Sequence, residues 1–243
     1  MHSSRAFQLW AITLICFFAL IVATPAFAQK RRGGPTRAVV VDERLSVLRD
    51  TPDLNGKFVR RISRGDDLYV LGMKTSADGI NFYRVRVTSR SSGWLQSDAV
   101  VSTVRSGDDQ RLWKLVQASE GFDRISRAQT FLELFTASPL RPTVLLALGD
   151  AAEEMAGRVT KEAQRRLSPD EIAKGTAPEF SYYQNFAGLD RYQRRNIGFR
   201  FDRIKKEFHY NGAAWSELIK KYPQSPETEQ ARQRLSGSVG PAK

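Results

Sequence analysis

The segment FYRVRV at residues 82–87 alternates Tyr83, Val85 and Val87 with Arg84 and Arg86. Successive side chains of a strand point to opposite faces, so this spacing predicts a β-strand buried on one side and wetted on the other. The same pattern extends towards the N-terminus. Ala38-Val39-Val40-Val41, Leu45-Ser46-Val47-Leu48, Phe58-Val59-Arg60-Arg61-Ile62 and Leu68-Tyr69-Val70-Leu71 are all strand-like. Turn residues separate these runs at Asp53-Leu54-Asn55-Gly56, Arg64-Gly65-Asp66, Asp78-Gly79 and Ser91-Ser92-Gly93. Short strands at this spacing predict a small barrel or sandwich over residues 37–104.

Four blocks in this region resemble, in order, those of bacterial Src-homology-3-like (SH3b) domains. Val47-Leu48-Arg49-Asp50-Thr51-Pro52 resembles their opening NVRSGP, with Val47 where the family has Asn. The run VRRISRGD at 59–66 resembles IGTLKKGT, Phe82-Tyr83-Arg84-Val85 resembles WYKV, and GWLQSDAV at 93–100 resembles GWVHSSYL. The resemblance implies a small SH3-like β-barrel that binds a peptide or cell-wall ligand. It makes Phe82, Tyr83 and Trp94 candidates for an aromatic groove; alternatively, Trp94 and one of the Phe82–Tyr83 pair fill the barrel core.

From Gly107 the apolar period lengthens to about 3.6, the period of a helix. Leu112, Leu115 and Val116 are followed by Ile125, Ala128, Phe131 and Phe135. A long helix opening at Pro142 places Leu148, Ala152, Met155, Val159, Ala163 and Leu167 on one face. Ser168-Pro169-Asp170-Glu171 then has the spacing of a capping box. The run FLELFTASP at 131–139 aligns with LIKKYPQSP at 218–226, an offset of 87 residues that also sets Leu148 opposite Leu235. An aromatic, two residues, Ser-Pro and a following helix resemble the turn of tetratricopeptide-type (TPR) repeats, with the Ser expected to cap the second helix. The offset is not a whole number of repeats of about 34 residues, so an insertion at about 178–211 must separate the copies. Within it, residues 196–211 fit either a hairpin, with Phe199 and Phe201 facing Phe208 and Tyr210, or a helix through Ile197, Phe201, Ile204 and Phe208. Gly198 and the Phe/Tyr content favour the hairpin. The expected fold class is therefore multidomain α+β: an SH3-like barrel followed by an α-helical, TPR-like hairpin domain at 107–237.

The first 28 residues read as a secretory signal. Arg5 supplies the positive start, residues 9–22 the apolar run, and Ala26-Phe27-Ala28 the small-residue cleavage site, which places the cut after Ala28. A retained anchor is the alternative, since residues 7–27 approach the length of about 20 that a span needs. Cys16 lies between large residues inside the apolar run, unlike a lipid-attachment cysteine. The mature chain, which starts with a linker at 29–36, then has no cysteine, and disulfide and thiol chemistry are excluded from it. Arg5 is the only charged residue of the signal, so the formal charge of +12 becomes +11. Outside the cytoplasm such a charge meets anionic lipids, polymers and wall carboxylates in place of nucleic acid. Arg191, Arg194, Arg195, Arg200, Arg203, Lys205 and Lys206 face only Asp202 over residues 191–206 and are the candidate patch for an anionic partner, the alternative being a solvated face.

Catalytic signatures are scarce. His209 is the one histidine of the mature chain, and neither Gly-x-Ser-x-Gly nor HExxH occurs. Asp108-Asp109 and Glu153-Glu154 read as solvated charge at helix positions, so neither a metal site nor a cofactor is expected. LVQASEGF at 115–122 resembles the segment carrying the acid of phage-type muramidases, which makes Glu120 the centre of an alternative reading as a peptidoglycan hydrolase. The helical pattern that continues after it favours a helix-end role. These observations predict an exported, non-enzymatic binding or scaffold protein of the periplasm or cell envelope. Its barrel would hold a peptide or wall ligand and its helices a protein; oligomers are compatible with this reading.

Overall fold

The computed structural model describes residues 34–238; the expected export signal, Cys16 and most of the expected linker lie outside them. Seven strands come first: β1 (Thr36–Val40), β2 (Val47–Arg49), β3 (Phe58–Arg61), β4 (Asp67–Thr75), β5 (Asn81–Thr88), β6 (Ser91–Gln96) and β7 (Val100–Ser102). They form one antiparallel sheet in the order β3-β2-β6-β5-β4-β1-β7. The sheet curls around an apolar core of Leu48, Ile62, Leu68, Tyr83, Val85, Leu95 and Val100. Its two end strands, β3 and β7, do not pair with each other, so the expected barrel is an open sheet. Tyr83 and Val85 point into this core as the alternation predicts, and Arg84 and Arg86 are exposed.

Strand β1 explains why its apolar run is unbroken. Ala38 and Val40 enter the strand core, whereas Val39 and Val41 join the helical core. A strand buried on both faces needs apolar side chains at every position. The helices that cover it are α1 (Asp108–Gln117) and α2 (Gly121–Leu134), followed by the long α3 (Arg141–Arg166). Leu148, Ala152, Met155, Val159 and Ala163 of α3 are all buried, as their spacing predicts, and Pro142 sits in its first turn. Beyond α3 come three short helices, α4 (Pro169–Lys174), α5 (Glu179–Gln184) and α6 (Asp190–Gln193). Ser168 caps α4 by accepting the Glu171 N–H at 3.4 Å. No helix of the described residues is long and apolar enough to cross a membrane.

Residues 196–211 form the hairpin. Strands β8 (Phe199–Asp202) and β9 (Glu207–Tyr210) pair Phe199 with Tyr210 and Phe201 with Phe208. Ile204, which a helix would have buried, is 95% exposed at the turn. Asp202 fixes that turn by accepting the N–H groups of Ile204 at 2.8 Å and Lys205 at 3.0 Å. Those bonds, Lys205 first, hold its carboxyl below its ordinary value of 3.8. A depressed folded-state value stabilises the turn above the unfolded value, and the contribution is lost as the pH falls through the folded one. The Ile204 and Lys205 amides should therefore keep their exchange protection at neutral pH and lose it only in acid below 3.8. Loss near neutrality in an NMR exchange series would contradict this.

The turn between the last helices, α7 (Ala213–Lys221) and α8 (Glu227–Ser238), repeats the backbone hydrogen bonds of the turn between α2 and α3. Phe135 and Tyr222 are the C-caps of α2 and α7, each donating its N–H to the carbonyl four residues back at 2.9 Å. Ser138 N–H donates to Phe135 O at 3.2 Å, and Ser225 N–H to Tyr222 O at 3.0 Å. Arg141 and Thr228 close the turns onto Ser138 O and Ser225 O. The repeat is thus one of backbone hydrogen bonds as well as of sequence. Ser138 does not act as the expected N-cap: the N-cap of α3 is Leu140, and Ser138 Oγ donates to Asp109 at 2.7 Å. Arg141 joins the two hairpins, donating to Leu132 O at 2.6 Å and to the Tyr222 hydroxyl at 2.9 Å.

Candidate binding surfaces

The two ends of the sheet are treated differently. The outer edge of β7 is closed by side chains of α1. Asp108 accepts the Ser102 N–H at 2.9 Å, and Arg111 donates to Val100 O and, at 2.9 Å, to Asp98 O. Asp108 is only 1% exposed and also binds Arg105 at 2.7 Å and Arg111 at 3.1 Å. Burial pushes the Arg111 guanidinium below its ordinary value, opposed by the Asp108 charge. The reading of Asp108 and Asp109 as solvated charge is corrected here: the first is a buried counter-ion and the second holds Ser138. Glu153 is corrected as well, since it binds His209 Nδ1 at 2.9 Å and the Tyr210 N–H at 2.7 Å, tying β9 to α3. Glu154 remains a surface partner of Arg158.

The opposite end is open. All four residues of β3 are exposed, with Phe58 59% and Val59 46% accessible. One side of β3 pairs with β2 and the other with no strand of the sheet. Lys57, Arg60 and Arg61 give this edge a positive rim, and Arg61 is anchored to Glu43 O at 2.6 Å. An unpaired edge presents backbone N–H and C=O groups to any extended chain.

The expected aromatic groove is not on the surface. Phe82 and Tyr83 are both buried, so neither ring is presented to a ligand, and Trp94 is half-buried opposite Arg49 and Arg84. Tyr83 is in the core because its strand position faces inward. Phe82 lies on the other face by alternation and is covered nonetheless.

The basic run is divided among several settings. Arg191 stacks on Tyr192 at 4.8 Å and Phe122 at 5.6 Å and donates to the Tyr192 hydroxyl. Arg203 lies 3.8 Å over the Phe180 ring, and Lys206 pairs with Glu179 at 2.7 Å. Arg195 turns towards the junction of sheet and helices, its carbonyl held by the Gln129 amide. Arg194, Arg200 and Lys205 are exposed. Much of the run therefore packs on aromatic rings or pairs with acid. Glu120 is exposed at the N-cap of α2, where its side chain makes no cap hydrogen bond.

A cleft at the sheet–helix junction went unforeseen. Its wider part, about 460 Å³, is walled by Val41 and Leu115 and edged by Arg44, Arg64, Arg111 and Arg127 together with the acids Asp42, Glu43 and Asp98. A narrower recess of about 180 Å³ shares Val41, Arg64 and Arg127 and adds Phe122, Asp123 and Arg195. These residues are scattered from 39 to 195, so no motif could have announced them. Among the described residues no group of three or more His, Cys, Asp or Glu side chains could hold a metal ion. Comparison with protein-family models, curated proteins and solved structures returns no match.

Proposed function

We propose that this chain is an exported, non-enzymatic binding and scaffold protein of the cell envelope. Its SH3-like strand unit takes an extended peptide or cell-wall ligand, and its TPR-like helical hairpins hold a protein partner. The observation that carries the reading is the asymmetry of the sheet: one edge is closed by a buried ion pair, while β3 is left open with apolar side chains exposed. Folds normally blunt such edges, and strand addition is a common mode of peptide capture. Backbone pairing would supply the affinity. Phe58 and Val59 would supply contact area, and Arg60 and Arg61 a preference for acidic sequences. The signal-like N-terminus supports an encounter outside the cytoplasm, where such a basic chain would meet anionic envelope components.

The test is retention of the mature protein on envelope extracts and on cell-wall material, compared with Phe58→Lys and Val59→Lys. Both positions are exposed, so folding should be unaffected. Each variant should lose about tenfold in affinity for whatever the wild type retains, the order of one good contact. Retention equal to wild type by both variants would remove β3 as the binding edge, and no enrichment by the wild type would remove the binding reading itself.

A further inference from the structure

We propose that the narrow recess at the sheet–helix junction binds a carboxylate attached to an apolar group, with Arg127 as its principal partner and Arg64 and Arg195 beside it. This site is separate from the β3 edge and shares only Arg195 with the basic run.

Arg127 is short of a counter-charge. Its Nη1 donates to Leu115 O at 3.0 Å and to Ser119 Oγ at 2.5 Å, both neutral acceptors. Its Nε is buried with no hydrogen-bond partner, and no ion pair among the described residues includes it. A desolvated charge without a partner is costly, and folded proteins normally supply one. Burial, together with the neighbouring Arg64 charge, pushes its pKa below the ordinary arginine value, opposed by the charges of Asp123 and Asp42, which are themselves paired with Arg64 and Arg44. Around the recess three arginines face a single carboxylate, Asp123, which Arg64 already engages at 3.1 Å. The site therefore has spare guanidinium donors, the groups best suited to grip an oxyanion side-on. Val39, Val41, Leu112 and Phe122 give it an apolar wall, and Ser126 and Thr130 add hydroxyls. Such walls favour a carboxylate carrying a hydrocarbon group over a strongly hydrated inorganic anion. The recess of about 180 Å³ is smaller than a typical drug-sized site of about 300–1,000 Å³. It suits the acidic end of a ligand whose remainder runs along Val41 and Leu115 in the wider part.

The probes are N-acetyl-leucine, its uncharged amide N-acetyl-leucinamide, and inorganic phosphate, each titrated into the folded protein by NMR and thermal shift. The acid should raise Tm and shift the resonances of residues 39–41 and of α2, and the amide and phosphate should do neither. Arg127→Gln should weaken the acid at least about tenfold, as loss of hydrogen bonding to a charged group does. Because Arg127 also supports the end of α1, Arg195→Gln is the second variant; it should weaken binding several-fold with the unliganded Tm unchanged. Equal binding of acid and amide, tighter binding of phosphate than of the acid, no response to the acid, or wild-type affinity in both variants would each overturn the proposal.

Discussion

Replacing Asp108 with alanine is expected to lower the unfolding free energy by about 3–5 kcal/mol, the cost of breaking a buried ion pair from one side. The carboxylate is 1% exposed and serves three donors: the Ser102 amide, Arg105 and Arg111. Arg105 keeps a second partner in Asp98 at 2.6 Å. Arg111 does not; it would be left half-buried on the carbonyls of Asp98 and Val100. Asp108→Asn keeps an acceptor for Ser102 and should cost less. Removing Arg111 as well, by Arg111→Met in the Asp108→Ala background, should recover part of the loss, since the orphaned charge is then gone. Denaturant unfolding of the four proteins measures this. A loss below about 1 kcal/mol for Asp108→Ala, the scale of a surface pair, would show that the β7 edge is not held this way.

Trp215→Ala should have a comparable effect, about 3–5 kcal/mol for emptying the site of a fully buried indole. Trp215 sits where α7 crosses α3 and meets Tyr210 edge-to-face at 5.4 Å. The crossing is possible because α3 has a glycine there: a Cβ on Gly149 would lie 2.2 Å from Trp215 Nε1. Gly149→Ala would stabilise an isolated helix by about 1 kcal/mol. Here it should destabilise by about 1–3 kcal/mol through overpacking. Trp215→Phe should be milder than Trp215→Ala, because it also removes a buried indole N–H that has no acceptor. A stabilised Gly149→Ala protein would contradict the close approach.

Much of the fold was legible because local periodicity is set by burial. The alternation at 82–87, the doubly apolar β1 and the single apolar stripe of α3 each reflect which faces are covered. The β8–β9 hairpin was legible from Gly198 and the alternating aromatics, and the structure leaves Ile204, which a helix would have buried, exposed at its tip. What failed was long-range. Periodicity defines strands but not which strands end the sheet, so an open sheet and a closed barrel read alike. Asp108 looks like any acidic first-turn residue until β7 approaches it. Alternation sets Phe82 on the face opposite Tyr83, but only packing shows that it is covered there. Both serines of the repeated turn are residue types that cap helices, yet they lie three and two residues before the first residues of their helices, Arg141 and Glu227. The junction arginines come from five separate segments, and only the fold brings them together.

The central claim is that β3 is the receiving edge. Amide hydrogen exchange on the mature protein, with and without solubilised wall fragments or envelope extract, tests it most directly. The outward-facing amides of Phe58–Arg61 should exchange rapidly alone and gain protection on binding, while those of β7, already closed by Asp108 and Arg111, stay unchanged. Protection that appears only on the helices, with β3 unaffected in the presence of bound material, would contradict it.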